Sequence, residues 1–210
     1  MKKKIVLRVF LVLVLILIGW TAWGFYAVPT QRASRDFPLE TPKYDLGKVL
    51  VVYYSLSGDT AEVARRIRDM TNGTLHEIET EKSYPSGPAL YFLAGLELKN
   101  SNFPALKNSD INFSSYDVIF VGSPVWWYTI STPMLSFLSR ADFKGKTVVP
   151  FSTAGSNFGD FFVRFTSDAK NANIAEGINF SSVKKIDVSV LDQQLSTWLE
   201  KLKTSQPPMM

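Results

Sequence analysis

From Lys48 onward, short apolar runs alternate with segments whose apolar residues recur at helical spacing, the pattern of βα units around a parallel sheet. Residues 49–54 form a near-continuous β-prone run, as in a strand covered on both faces. Thr60, Val63, Ala64, Ile67 and Met70 then share one face of a helix, Glu62 and Arg66 stand four apart for an ion pair, and Asn72-Gly73 supplies the stop. Residues 75–80 predict a second strand, 89–98 a helix, and 116–122 a third strand. Thr132-Pro133, a capping residue followed by proline at the first helical position, starts the next helix. Residues 147–151 predict a fourth strand. Phe158, Phe161, Phe162 and Phe165 then fall at i, i+3, i+4 and i+7, with Asp160 and Arg164 paired on the outer side. A short fifth strand is expected near residues 183–188, before a last helix built on Leu191, Leu195, Trp198, Leu199 and Leu202. Five strands and about five helices in roughly 160 residues make one doubly wound α/β domain.

The chain ahead of this domain is patterned differently. Residues 9–28 are uncharged and mostly apolar, and at about 1.5 Å rise per residue they are long enough to cross a bilayer core of roughly 30 Å. Residues 1–28 are therefore read as a signal anchor, a single transmembrane helix. Lys2, Lys3, Lys4 and Arg8 on one side outweigh Arg32, Arg35 and Lys43 on the other, which puts the N-terminus in the cytoplasm and the domain outside the cytoplasmic membrane. The rival is a cleaved signal peptide with Ala22-Trp23-Gly24 as its weak cleavage site, giving a secreted domain. Residues 29–47, polar and carrying Pro29, Pro38 and Pro42, predict an extended linker, and residues 204–210 a tail.

Composition narrows the chemistry. The chain has no cysteine, which excludes disulfides, thiolate metal sites, a cysteine nucleophile and a lipoprotein anchor. Its one histidine, His76, lies in the apolar-alternating stretch Leu75-His76-Glu77-Ile78-Glu79 and reads as structural. The net charge is +4, but four of the 23 basic residues precede residue 30, and the other 19 are balanced by 19 acidic residues. The body is neutral and offers no basic face for nucleic acid.

Ligands of doubly wound sheets bind beyond the carboxyl ends of the strands, and three loops there are unusual. Ser55-Leu56-Ser57-Gly58-Asp59-Thr60 combines three hydroxyls, a glycine and the free N–H groups of a helix start, a phosphate cradle without Lys or Arg. It suits a monoester phosphate held by neutral donors; an ordinary Ser/Thr-rich capping turn is the alternative. Gly122-Ser123-Pro124-Val125-Trp126-Trp127-Tyr128-Thr129 places three large aromatics at a strand end, where at least one could stack on a planar heterocycle. Alternatively, one ring plugs the sheet end and the others sit on the surface. Ser152-Thr153-Ala154-Gly155-Ser156-Asn157 is small and polar and offers backbone N–H groups.

In order along the chain, Tyr-Ser-x-Ser-Gly-x-Thr at residues 54–60, Tyr-Asp-x-Ile-x-x-Gly-x-Pro-x-Trp-Trp at 116–127 and Gly-Lys-Thr at 145–147 resemble the flavodoxin-like family. The resemblance covers residues 48 to about 203 and implies a five-stranded parallel sheet of order 2-1-3-4-5 with FMN as cofactor. It implies the FMN phosphate at Ser55, Leu56, Ser57, Gly58, Asp59 and Thr60, and the ring against Ser123, Pro124, Val125, Trp126, Trp127 or Tyr128 and the loop of Ser152, Thr153, Ala154, Gly155 and Ser156. Gly145-Lys146-Thr147 is no P-loop, since Arg140 stands where the first glycine would be and a strand follows instead of preceding it. The expected function is electron transfer by a membrane-tethered FMN protein with unknown redox donor and acceptor. The alternatives are an FMN-dependent NAD(P)H reductase of quinones or similar acceptors, and a flavin-free binding module.

Overall fold

Two neighbours flank the fully buried strand β1 (Val49–Tyr53), both parallel to it: β2 (Thr74–Glu77) and β3 (Val118–Trp126). The computed structural model describes residues 44–205. In chain order the remaining elements are α1 (Asp59–Thr71) between β1 and β2, α2 (Pro88–Asn100) before β3, then β4 (Thr129–Ile130), α3 (Thr132–Leu138), β5 (Thr147–Ala154), α4 (Phe161–Asp168), β6 (Asn173–Ile174), β7 (Ile178–Ser181) and α5 (Val188–Ser205). The sheet path is β2-β1-β3-β5-β6, with β7 also pairing parallel to β5 and β4 turning back antiparallel on β3.

Strand alternation sorts the core into two layers. Leu50, Val52, Ile119, Val121 and Val148 face α2, α3 and α4, where Leu90, Ala94, Phe137, Phe161 and Phe165 are buried. Val49, Val51, Tyr53, Val118, Phe120, Val149 and Phe151 face α1 and α5, where Ile67, Leu195, Trp198 and Leu199 close the other side. Packing begins before Lys48, because Tyr44 and Leu46 are buried and the Tyr44 N–H donates to the Met70 carbonyl at 3.0 Å. Among the described residues no helix is long and apolar enough to cross a membrane. The expected anchor at residues 1–28 and most of the expected linker lie outside the described residues.

Three sequence expectations are corrected. The sheet has seven strands, not five, and the strand in the fifth position is not at residues 183–188. It is divided between β6 and β7, Val183–Lys185 is a short 3₁₀ turn, and α5 already begins at Val188. The physical reason is Pro150 in β5. Proline has no N–H to give to a ladder, and the outer strand leaves the sheet opposite it between Ile174 and Ile178. Gly177 lies there so close that a Cβ would come within 2.5 Å of the Pro150 carbonyl oxygen. The aromatic segment after residue 122 is also strand: β3 runs on to Trp126, and Trp127 and Tyr128 form the two-residue turn into β4. Finally, Arg164 pairs with Asp168 at 3.2 Å and not with Asp160, whose carbonyl accepts the Arg164 N–H at 2.9 Å as the helix opens.

The expected Glu62–Arg66 pair forms at 2.9 Å, and the same guanidinium also pairs with Asp192 of α5, tying the two helices of one layer together. Arg66 is 8% exposed, whereas both carboxylates remain partly solvated. Arg66→Ala is therefore expected to lower the unfolding free energy by about 2 kcal/mol, less than a fully buried pair would cost. A urea titration measures it, and a change below about 0.5 kcal/mol would show the link to be idle.

Candidate functional site

Four turns meet at the carboxyl ends of β1, β3, β5 and β7, and they enclose a cleft of about 350 Å³, within the size range of small-ligand sites. The first βα turn contributes Leu56, Ser57 and Asp59, β3 contributes Pro124, Val125 and Trp126, and β5 contributes Thr153, Ala154 and Gly155. Leu90 and Tyr91 of α2 and Ser182, Val183, Lys184 and Lys185 after β7 complete the wall.

The first turn is shaped by its own polar groups. Gly58 adopts φ +91°, a conformation in which nearly any other residue would be strained, and its N–H donates to Ser55 Oγ at 3.2 Å. The Gly58 carbonyl accepts the Glu62 N–H at 2.9 Å and starts α1. Ser57 Oγ donates to Asp59 Oδ2 at 3.0 Å. Thr60, 1% exposed, shares a 2.8 Å hydrogen bond with Thr153 that fastens α1 to β5. Of the three hydroxyls expected in the cradle, only that of Ser57 belongs to a residue lining the cleft; Ser55 and Thr60 stabilise the turn behind it.

The aromatics divide in the same way. Trp126 is 4% exposed, lies in the cleft wall, and packs edge-on against Tyr54 at 5.7 Å and Tyr84 at 5.0 Å. Burial raises the Tyr54 and Tyr84 phenols well above the ordinary tyrosine range, helped at Tyr84 by the Glu97 carboxylate that its hydroxyl donates to at 2.7 Å. Trp127 and Tyr128 instead point outward, with φ +52° and +60°. Two consecutive left-handed residues make the kind of turn that hairpins usually build from Asn-Gly, and for bulky residues this conformation is strained. Trp127 Nε1 donates to the Tyr91 carbonyl at 2.7 Å, which holds the start of α2 against the hairpin and keeps Tyr91 at the cleft.

Ser123 and Ser152 are fully buried and serve the scaffold. Ser123 Oγ accepts the Ser131 N–H at 3.2 Å, and Ser152 Oγ donates to Asn179 at 2.8 Å. Ser156 is exposed beyond the end of β5. Nine of the expected residues thus gather in one cleft, while Ser55, Gly58, Thr60, Ser123, Trp127, Tyr128, Ser152 and Ser156 shape its surroundings.

Sequence reasoning missed Leu90, Tyr91, Ser182 and Val183 of the wall and, with more chemical consequence, its two cations, Lys184 and Lys185. Their turn is tied to the end of β5: the Ser182 N–H donates to the Ala154 carbonyl at 2.8 Å and Ser182 Oγ to the Gly155 carbonyl at 3.3 Å. Lys184 Nζ lies 3.7 Å from Asp59 Oδ2. The signal was available in the strand assignment, since a strand ending at Ser181 puts Lys184-Lys185 in a loop at the ligand end of the sheet, whereas one over 183–188 hides them within it.

A flavodoxin family model matches residues 48–202. The chain belongs to the flavodoxin family. Among solved structures, this flavodoxin-family chain is similar to a candidate flavoprotein of Bacteroides eggerthii, with 27% identity and TM-score 0.64 over 76% of this chain and 99% of that one. A second candidate flavoprotein, from Bacteroides uniformis, has 28% identity and TM-score 0.63 over 71% and 98%. A flavoprotein of Lactobacillus acidophilus in complex with FMN shares the fold at 23% identity, TM-score 0.59, over 72% and 97%. No curated protein matches the chain.

Proposed function

We propose that this flavodoxin-family chain binds FMN in the cleft and acts in electron transfer, tethered to a membrane by residues 1–28. The observation that carries the FMN reading is that one cleft joins the N-terminus of α1 to the indole of Trp126. A helix N-terminus favours an anion, and the aromatic wall of Trp126, with the exposed ring of Tyr91 beside it in the cleft lining, suits a planar heterocycle. Family membership and the FMN complex of the Lactobacillus acidophilus flavoprotein support the choice of FMN over other phosphorylated heterocycles.

The donor set fits such a ligand. The Gly58 conformation leaves open space where a Cβ would stand, so backbone can approach a phosphate. Ser57 offers a hydroxyl, and Lys184 and Lys185 supply positive charge from the turn after β7, Lys184 beside Asp59. Tyr91 and the partly exposed Leu56 and Val125 provide apolar surface for a ring, the nearly buried Trp126 and Leu90 contribute the rest, and Ala154 and Gly155 let backbone reach its edge without side-chain obstruction. FMN, when bound, supplies one- and two-electron redox chemistry. The residues of this chain hold and orient it, exclude water from one side, and need donate no proton of their own.

The test is the spectrum of the purified full-length chain. Flavin absorption bands, or saturable binding of added FMN by colourless protein, are expected; a folded chain that is colourless and ignores added FMN would overturn the reading. The tether is tested separately: in right-side-out membrane vesicles, protease added from outside is expected to digest the domain, and in inverted vesicles the domain is expected to be protected. Release of the domain as soluble protein would favour a cleaved leader instead.

A further inference from the structure

The turn that opens α1 is acidic where a bound phosphate would prefer it basic. Asp59, the first residue of the helix, puts a carboxylate into the same N-terminal field that attracts anions. Asp59 Oδ2 accepts the Ser57 hydroxyl at 3.0 Å and lies 3.7 Å from Lys184 Nζ, while Asp59 Oδ1 is buried with no hydrogen-bond partner among the described residues. A buried carboxylate oxygen without a donor is costly to keep. Three groups that could serve a ligand phosphate, the helix N-terminus, Ser57 and Lys184, are thus arranged around a side chain of this protein.

Resting on the FMN reading above, we infer that Asp59 and Lys184 form an exchangeable clasp that sets how tightly the cleft takes a phosphorylated ligand, Lys184 favouring the phosphate and Asp59 opposing it. Without a ligand, Lys184 neutralises Asp59. When a phosphate monoester enters, the Lys184 ammonium turns from Asp59 to pair with the phosphate, and the uncompensated Asp59 carboxylate remains as a repulsive neighbour that weakens phosphate binding. Lys184 is free to move, its side chain being 51% exposed and its turn anchored through Ser182 and not through its own ammonium group. Asp59 is the more confined partner at 24%. A phosphate-free analogue of the same ring leaves the clasp closed.

The experiment titrates the full-length chain with FMN and with riboflavin, which lacks the phosphate, and reads flavin fluorescence. Lys184→Ala is expected to weaken FMN about tenfold, as for loss of a charge-assisted contact, and to leave riboflavin unchanged. Asp59→Asn is expected to tighten FMN severalfold, again with riboflavin unchanged, and to enlarge the effect of Lys184→Ala in the double variant, because Lys184 then gives up no partner when it turns to the phosphate. An unchanged FMN-to-riboflavin ratio in Lys184→Ala, or weaker FMN binding in Asp59→Asn, would overturn the clasp while leaving FMN binding intact. Inorganic phosphate gives a flavin-free readout. It is expected to raise the melting temperature of the wild type, more so of Asp59→Asn, and least of Lys184→Ala. That pattern in a chain that binds no flavin would keep the clasp and discard the FMN reading; the same phosphate response in all three proteins would discard the clasp.

Discussion

Gly122→Ala is expected to cost about 3 kcal/mol of stability, at the upper end of what one added methyl does in a packed core. Gly122 lies in β3 opposite Tyr53 on one side and Phe151 on the other. A Cβ there would stand 2.0 Å from Phe151 Cζ and 2.4 and 2.6 Å from two further ring atoms. The ring itself is fully buried in the layer beneath α1 and α5, with Phe120, Phe180 and Trp198, so it has no empty volume to swing into. Urea denaturation is expected to show a lower midpoint with an unchanged slope. Phe151→Leu in the same chain is expected to relieve part of the loss, giving a coupling between the two positions of at least about 1 kcal/mol. A Gly122→Ala protein as stable as the wild type would show the sheet to be more loosely packed than described.

The second large effect is expected at Trp126. Trp126→Ala empties a buried indole site and should cost about 4 kcal/mol, as large-to-small aromatic changes in cores do. The damage reaches the cleft wall, because Trp126 itself lines it, and it extends behind the wall to Tyr84, whose hydroxyl and that of Thr132 both donate to Glu97, at 2.7 and 2.5 Å. Trp126→Phe retains a flat ring and is expected to cost about 1–2 kcal/mol. If Trp126 faces the flavin, Trp126→Phe also changes the fluorescence of bound FMN, whereas a change at Trp127, 53% exposed, leaves it as it was. The reverse order of effects would move the ring site to the outer face of the hairpin.

Much of this architecture was legible where burial imposes a period. The five buried residues of β1, the i, i+3, i+4 spacing in α1 and the leucines of α5 each read as one element because a sheet between two helix layers leaves no polar freedom there. The split outer strand was not legible. Its halves are two and four residues long, too short for a period, and their position is set by a proline in a different strand. The aromatic triplet misled for a related reason: Trp127-Tyr128 occupies a turn whose usual residues are Asn and Gly, so nothing local announces a turn. The first loop was recognisable as polar, and Ser55 and Ser57 are committed within it to Gly58 and Asp59, but two further partners come from elsewhere in the chain. Thr153 holds Thr60, and Lys184 stands over Asp59; neither pairing follows from local sequence.

The interruption opposite Pro150 also governs how the molecule behaves toward others of its kind. An outermost strand is a row of unpaired amide and carbonyl groups that invites lateral growth from another chain. Here that row is broken into a pair of residues and a quartet, separated by the detour through Gly177. An incoming extended segment finds no continuous template to zip along. A single imino acid in the neighbouring strand thereby protects this margin of the sheet against open-ended stacking.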